Sequence, residues 1–503
     1  MSRRKSRSRK RTRTTKRPTE LQKIPPGGDI RPLIARFDAA QDTIEHEKHW
    51  KWADSMSAAA AASHAVRRKL RSRSRYEIQE NSSLGKGMVL KKAKDVVGTG
   101  PLMAFDSKLL NFSGPDAQQI NRVVNRAFAT WAKASCFAKK LRTAYYSYIV
   151  DGEVFIGAMT NPSLTHPVSL DLRLYESELC TDVQNGAVDP NNFDGVVLDD
   201  NGIPVRYEIL RQHPGNDRLL GVPLSAMEID ADQMIHLFRE DRPQQIRGIP
   251  HTTPSLPLFA FRRRFILATV AAAEVAASHA GILQTDAHAV DEDGNTFDTD
   301  VDPSEIFDFD RGSLTAMPYG WKLAQMRAEH PQSTIEMFDK VLVGEISRCL
   351  QMPYNRAAGD SRDYTFASGK LDRDDWLEAI ETEQLDLEQI VLAKVVRWWF
   401  QEASLISGLL PRELTDLITT DPNTLDLLPV AWHWPRKRET DPAKQATADV
   451  KYTEARLLPM ELFWQRQNLD PDEMWALLEE QDDRLQNMQQ IDSVELDDTD
   501  EDE

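Results

Sequence analysis

Between Ser333 and Ala403 two apolar stripes of helical period are separated by one charged, glycine-containing stretch, and any fold for this chain has to accommodate that break. In the first stripe Ile335, Phe338, Val341, Leu342, Ile346, Cys349 and Leu350 recur three and four residues apart, behind Ser333 and Glu336 at the spacing of a capping box. Pro353 ends that helix, because proline can neither donate to it nor fit inside it. The second stripe runs from about Asp372 to Ala403, with Trp376, Ile380, Leu387, Val391, Val395, Trp398 and Trp399 on the side expected to be buried. The stretch between them, within MPYNRAAGDSRDYTFASGKLDRDDW at 352–376, has the small and charged residues of a solvated loop.

The rest of the chain reads as α+β and predominantly helical. Residues 1–30 are expected to be a disordered basic arm, since like charges repel and Pro25-Pro26-Gly27-Gly28 stops a helix. From Ile30 to Leu70, Phe37, Ala40, Ile44, Trp50 and Trp52 with the Ala-rich run at 58–62 predict one or two packed helices. Residues 85–255 mix helix and strand: AQQINRVVNRAFATWAKAS is helical in period, while YYSYIVDGEVFIGAM and GVVLDDNGIPVRYEIL read as β-runs around Asp-Gly and Asn-Gly turns. A long helix follows at 256–283. After it, residues 286–310 hold ten acids and no Lys or Arg. Beyond Ala403 the pattern predicts further helix to near Gln490, and no solenoid-type repeat is seen.

At 503 residues and 41% hydrophobic content the chain has ample material for two to four packed domains. Its net charge of −17 is segregated: residues 1–17 carry ten Lys/Arg and no acid, and residues 491–503 carry eight acids and no base. The remaining 52 basic and 71 acidic residues leave the body at −19. Cys136, Cys180 and Cys349 lack any CxxC spacing, which argues against a zinc ribbon or a disulfide scaffold. Neither a signal peptide nor a membrane span is expected, because FILATVAAAEVAASHAGIL contains Glu274 and His279 and follows three arginines.

Motifs of catalysis are weak. Gly85-Lys86-Gly87 and VVGTG at 96–100 lack the GxxxxGK-Ser/Thr pattern of a phosphate loop, so glycines relieving strain at turns explain them better. His46 and His49 could share a helix face with Glu45 or Glu47 around a metal, but a solvated face is the simpler reading. DEDGN at 291–295 has its glycine one step early for a calcium loop, and no bidentate Glu follows. No GxSxG elbow is present. The basic arm suits equally a non-specific nucleic-acid tether and, as the plainer reading, a solubility tail or an assembly handle for an acidic partner. No catalytic, cofactor-binding or metal-ligating set is assigned.

Several strings, in this order, resemble the lambda-type family of phage portal proteins: FDAA at 37–40, RSRSRYEIQEN at 71–81, VVGTG at 96–100, DGEVF at 151–155, IHLF at 235–238, RPQQIRGIP at 242–250, MPYN at 352–355, and HWPRKRETDPAKQATAD near the C-terminus. The resemblance runs from about Phe37 to about Glu480. After MPYN the family commonly shows a Tyr-Ser-Ser-x-Arg-like run, where this chain has DYTFASGKLD.

The resemblance implies a portal fold assembled as a ring, usually of twelve subunits, at one capsid vertex. In that fold residues 31–255 would form the wing and 256–351 the stem helices, with a clip at about 284–330. Residues 352–371 would be a channel loop, 372–440 a long wing helix with the segment after it, 441–490 a helical crown and 491–503 an acidic tail. The channel-loop residues it implies are Arg356, Gly359, Arg362, Tyr364, Phe366, Gly369, Lys370 and Arg373. The acidic clip would use Asp286, Asp291, Glu292, Asp293, Asp298 and Asp300. Implied partners are other copies of the chain, double-stranded DNA held without sequence preference, the terminase large subunit, the major capsid protein or scaffold, and a head-tail connector, in the virion and in the host cytoplasm during assembly. No enzyme activity, cofactor or membrane is implied. Two other classes are carried beside this one: a metal-dependent DNA-processing enzyme using the acids of 286–310, and an adaptor whose oppositely charged ends recruit partners.

Overall fold

A computed structural model describes residues 55–182, 191–216, 225–278, 282–285, 321–324, 332–435, 442–460, 463–464, 469 and 471–497. The chain divides into Met1–Met56 and Ser57–Glu503, and all the secondary structure described lies in the second unit. The expectations for the basic arm, for Phe37 to Trp52, for the His46 and His49 pair, and for the clip acids Asp286, Asp291, Glu292, Asp293, Asp298 and Asp300 lie outside the described residues.

Helices α1 (Ala58–Ala61), α2 (His64–Ser74) and α3 (Ser83–Val97) open the second unit, α2 passing through a π-helical turn at Arg75–Glu80. The Gly-Lys-Gly of 85–87 lies inside α3, where a Cβ on Gly85 would sit 3.1 Å from the Phe259 ring and 3.2 Å from the Ile78 Cα. Close helix packing, neither a phosphate nor the expected turn, accounts for that glycine. Strand β1 (Leu102–Phe105) leads into α4 (Gly114–Ala134) and α5 (Phe137–Asp151).

The expectation of a β-run over YYSYIVDGEVF is half right. Tyr145 to Val150 belong to α5, and only β2 (Glu153–Thr160) is strand. Leu141, Ala144, Tyr145, Tyr148 and Ile149 are buried at helical spacing, so packing overrides the strand preference of tyrosine and isoleucine. Asp151-Gly152 is therefore a helix end, not a hairpin turn. Gly152 sits at φ +87°, and a Cβ there would lie 2.1 Å from the Ile249 carbonyl carbon. Gly152→Ala is expected to cost at least about 3 kcal/mol, since strained positive-φ backbone alone costs ~1–3 kcal/mol before the clash. The urea midpoint measures this, and an unchanged midpoint would contradict the contact.

Strands β3 (Leu170–Tyr175), β2 and β8 (Met234–Phe238) form an antiparallel sheet in the order β3-β2-β8. A second antiparallel sheet takes β4 (Asn192–Phe193), β5 (Val196–Leu198), β6 (Pro204–Leu210) and β7 (Ala226–Asp230), with the expected Asp-Asn-Gly turn between β5 and β6. Phe155, Tyr175, Val196, Tyr207, Ile209 and Met234 fill the small core shared by the two sheets.

Helix α6 (Leu256–Ser278) then packs against α7 (Gln332–Arg348), and a separate antiparallel ribbon pairs β9 (Ile282–Thr285) with β10 (Trp321–Ala324). The bounds of α6 and α7 agree with the sequence reading to within about a turn. After α8 (Tyr354–Ala358), one long helical run comprises α9 (Phe366–Leu387), a π-helical turn at Glu388–Leu392 and α10 (Ala393–Ala403). It buries Trp376, Ile380, Leu387, Val391, Val395, Trp398 and Trp399, the side read from the sequence, together with Gln384, whose Nε2 donates to the Val96 carbonyl at 2.7 Å.

Past Ala403 the expectation of continuous helix needs correction. Helix α11 (Arg412–Thr420) is followed by β11 (Val430–His433), which pairs with β1 across most of the chain's length, before α12 (Pro442–Glu454) and α13 (Pro471–Asp497). A four-residue strand whose partner is so distant leaves no local pattern. The main core joins α3, α4, α5 and the long helical run on one side of the β3-β2-β8 sheet. Among the described residues no helix is long and apolar enough to cross a membrane.

Candidate functional site

The segment between α7 and α9 begins where Leu350 and Met352 are buried and Gln351 takes φ +54°, turning the chain into Pro353 and the short α8. Gly359, at φ +70°, ends α8 in the left-handed conformation that favours glycine. The irregular stretch runs only to Thr365, shorter than the expected 352–371. Thr365 caps α9 reciprocally: its hydroxyl accepts from the Ser368 N–H at 3.2 Å, and its own N–H donates to the Ser368 hydroxyl at 3.0 Å. That cap starts the helix at Phe366, six residues before the Asp372 expected from the apolar stripe.

The eight candidate channel residues are accordingly divided. Arg356 is on α8, Gly359, Arg362 and Tyr364 are in the turn, and Phe366, Gly369, Lys370 and Arg373 are on the first two turns of α9. Phe366 is 66% exposed. Arg356 lies 3.5 Å from Asp95, while Arg362 pairs with Asp360 at 2.7 Å and with Glu336 at 3.5 Å. The Arg362 hydrogen bonds hold the Asp360 carboxyl down at about 2. Lys340 reaches from α7 to Asp363 at 2.5 Å and stands over the Tyr354 ring. Local carboxylates therefore compensate Arg356 and Arg362, and Lys370 has no ion-pair partner among the described residues. Beneath the turn, Trp376 anchors α9 by donating from Nε1 to Asp95 at 3.0 Å.

A second constellation was not foreseen. Glu153 is fully buried at the start of β2 and accepts from Arg247 (Nη2 at 2.7 Å, Nε at 2.9 Å), the Gly248 N–H at 2.9 Å, His236 Nε2 at 3.0 Å and the Ser177 hydroxyl. Around it, Arg71 donates to Glu178 at 3.0 Å, Arg75 bonds Asp151 at 2.6 Å and Glu178 at 2.7 Å, and Arg67 and Arg247 both meet Asp194. Burial opposes the ionisation of Glu153, but Arg247 and His236 outweigh it and hold the carboxyl well below its usual range. Burial lowers His236 below the usual imidazole range, against the pull of Glu153, whose carboxylate lies 3.0 Å from its Nε2. Burial pushes Asp151 up to about 6, against the pull of Arg75, and the Cys180 thiol up to about 12.

Four strings singled out in the sequence meet here: Arg71 and Arg75 come from RSRSRYEIQEN, Asp151 and Glu153 from DGEVF, His236 from IHLF and Arg247 from RPQQIRGIP. The signal that could have found the cluster is an acid inside an apolar β-run, which needs a buried cation. The cluster ties α2 to the sheet and leaves no nucleophile or open carboxylate pair. Glu176, Glu178 and His213 come close enough to one another to hold a metal ion, but Arg71 and Arg75 already bond Glu178.

A model of the lambda family of phage portal proteins matches residues 45–384, and the chain belongs to that family. It is 26% identical over 435 residues to a protein described as a probable portal protein of Halomonas phage phiHAP-1, covering 82% of this chain and 79% of that one. Among solved structures, it is similar to a chain in the neck of an empty GTA particle computed with C6 symmetry, with TM-score 0.44, 11% identity and coverage of 77% and 89%. A chain in the virion of the native gene transfer agent (GTA) particle gives TM-score 0.40 and 12% identity over 80% of this chain and 94% of that one.

Proposed function

We propose that copies of this chain form a closed ring at one capsid vertex, through which double-stranded DNA enters and leaves, and on which the terminase and a head-tail connector dock. The role is structural: the chain guides a polymer and carries out no chemistry on it.

The observation that carries this reading is α6. From Phe265 onward its sequence, FILATVAAAEVAAS, is apolar apart from Thr269, Glu274 and Ser278, yet Ile266, Leu267 and Val270 are exposed in the single chain. Its partner α7 likewise exposes Met337, Phe338 and Val341. Exposed apolar side chains this close together on two packed helices mark a surface that a neighbour covers. Arg262, bonded to Asp339 at 2.6 and 3.0 Å, and the Phe265–Phe338 ring contact hold the two helices together, so the uncovered faces are offered as a pair. Side-by-side repetition of one chain, with two different faces meeting at each contact, covers them and closes a ring.

The body charge of −19 suits such a conduit. Cations along a wall would hold phosphates by counterion release, whereas net negative charge repels them and lets a duplex slide. The turn at 359–365, with Phe366 and Lys370 beside it, is the element we assign to touch DNA. Replacing residues 360–364 by Gly and Ser is expected to leave rings intact and to lower the DNA retained per particle several-fold. Packaged DNA protected from nuclease is the readout, and normal retention would remove the assignment.

A further inference from the structure

A cleft of about 960 Å³ opens between α7 and α9, with Lys92, Tyr148, Tyr354 and Tyr364 among its lining. Six carboxylates line it: Glu345, Asp372, Asp375, Glu378, Glu383 and Asp386. Of the three cations in its wall, Lys92 is committed to Glu383 at 3.0 Å and Arg239 to Asp241 at 2.6 Å, which leaves Arg348. The acids crowd one another: burial and the neighbouring Glu383 raise the Asp386 carboxyl above its usual range. Behind them the wholly buried Tyr145 hydroxyl lies against Glu383 and Tyr148, and burial with the Glu383 charge keeps it protonated. Carboxylates thus outnumber the uncommitted cations of the cleft.

The same chain carries the complement. Helix α2 turns Arg67 and Arg71 inward to the buried cluster and presents Arg68, Lys69 and Arg73 on its exposed side. Those three have no carboxylate partner among the described residues, so one helix face offers cations that the fold itself does not use.

We infer that the acidic cleft between α7 and α9 receives the basic outer face of α2 from a neighbouring copy, so that the two form the polar half of a head-to-tail contact. This rests on the ring reading above. It adds to the apolar α6 and α7 faces a charge pattern that permits only one order of assembly, because cleft against cleft and α2 against α2 both repel.

The test reverses each face separately. One variant carries R68E, K69E and R73E, and the other D375K, E378K and D386K, in the full-length chain. Native mass spectrometry and negative-stain microscopy at physiological salt are expected to show at least a tenfold loss of rings for each variant alone, with melting temperatures close to the wild type. Mixing the two restores rings of alternating composition, since a basic cleft then meets an acidic α2 and an acidic cleft meets a basic one. R68K with R73K, which keeps the charge, is expected to assemble normally. Wild-type ring yields from either reversed variant, or no recovery on mixing, overturn the inference while leaving the ring itself standing. Normal rings that have lost retained DNA in the α2 variant would assign that face to nucleic acid and overturn it equally. Absence of rings from the wild-type chain removes the ring reading and this inference together.

Discussion

Substituting both Leu267 and Val341 by Asp is expected to yield a folded chain that no longer assembles. The two side chains are 62% and 64% exposed in the single chain, so nothing within the fold depends on them. Surface changes of this kind usually move stability by less than about 0.5 kcal/mol. In a ring they would be covered by the next copy, and each new carboxylate would be buried without a partner. At a cost of roughly 2 kcal/mol or more per buried, unpaired polar group, the two changes weaken each contact by several kcal/mol. That is on the order of a thousandfold in affinity, since every 1.4 kcal/mol is tenfold. Light scattering coupled to size exclusion reads the mass, and thermal melting reports the fold. Full-size rings from the double variant would mean that these faces lie outside the subunit contact.

The second large effect is expected from Glu153→Gln. Glutamine preserves the shape and some of the hydrogen bonds but removes the charge that Arg247 faces from within a site where both residues are at most 3% exposed. Breaking a buried ion pair from one side costs about 3–5 kcal/mol, because the remaining charge stays out of water with its attraction gone. Asp194, 3.4 Å from Arg247, already meets Arg67 and His64 and offers limited compensation. Urea unfolding should show a lower midpoint with an unchanged slope. The pH dependence has a definite sign. A carboxylate whose folded value is depressed contributes stability that is fully present above its unfolded value, near 4.5, and is lost as pH falls through the folded value. The gap between wild type and variant should thus be constant from pH 5 to 7 and shrink only in more acidic solution. A midpoint equal to the wild type would show that the cluster does not carry the sheet and α2 together.

What the sequence disclosed, and what it hid, follows from the range of the interactions involved. The buried side of the long helix, from Trp376 to Trp399, was legible because helical period is a local signal and tertiary packing agrees with it. Tyr145 to Val150 were misread because their intrinsic preference is for strand and only the surrounding core makes them helical. The apolar stripe alone places the start of α9 six residues late, because Thr365 and Ser368 cap the helix well ahead of its first buried side chain. The buried charge cluster was hidden for a different reason. Glu153 and Arg247 are 94 residues apart and Arg71 and Glu178 are 107 apart, and no spacing rule brings such positions together. The family resemblance had already picked out the strings that hold most of its members, without indicating that they touch. The clip acids lie outside the described residues, so their role remains what the resemblance implies.

The most direct measurement is electron microscopy of the purified full-length protein, classified by rotational symmetry and reconstructed without imposing it. The expected result is a closed ring whose subunits contact through α6 and α7, with an axial opening that admits a duplex past a wall of predominantly negative potential. A chain that stays monomeric under all assembly conditions, or a closed assembly whose axis is plugged or densely coated with arginine and lysine, would contradict the account.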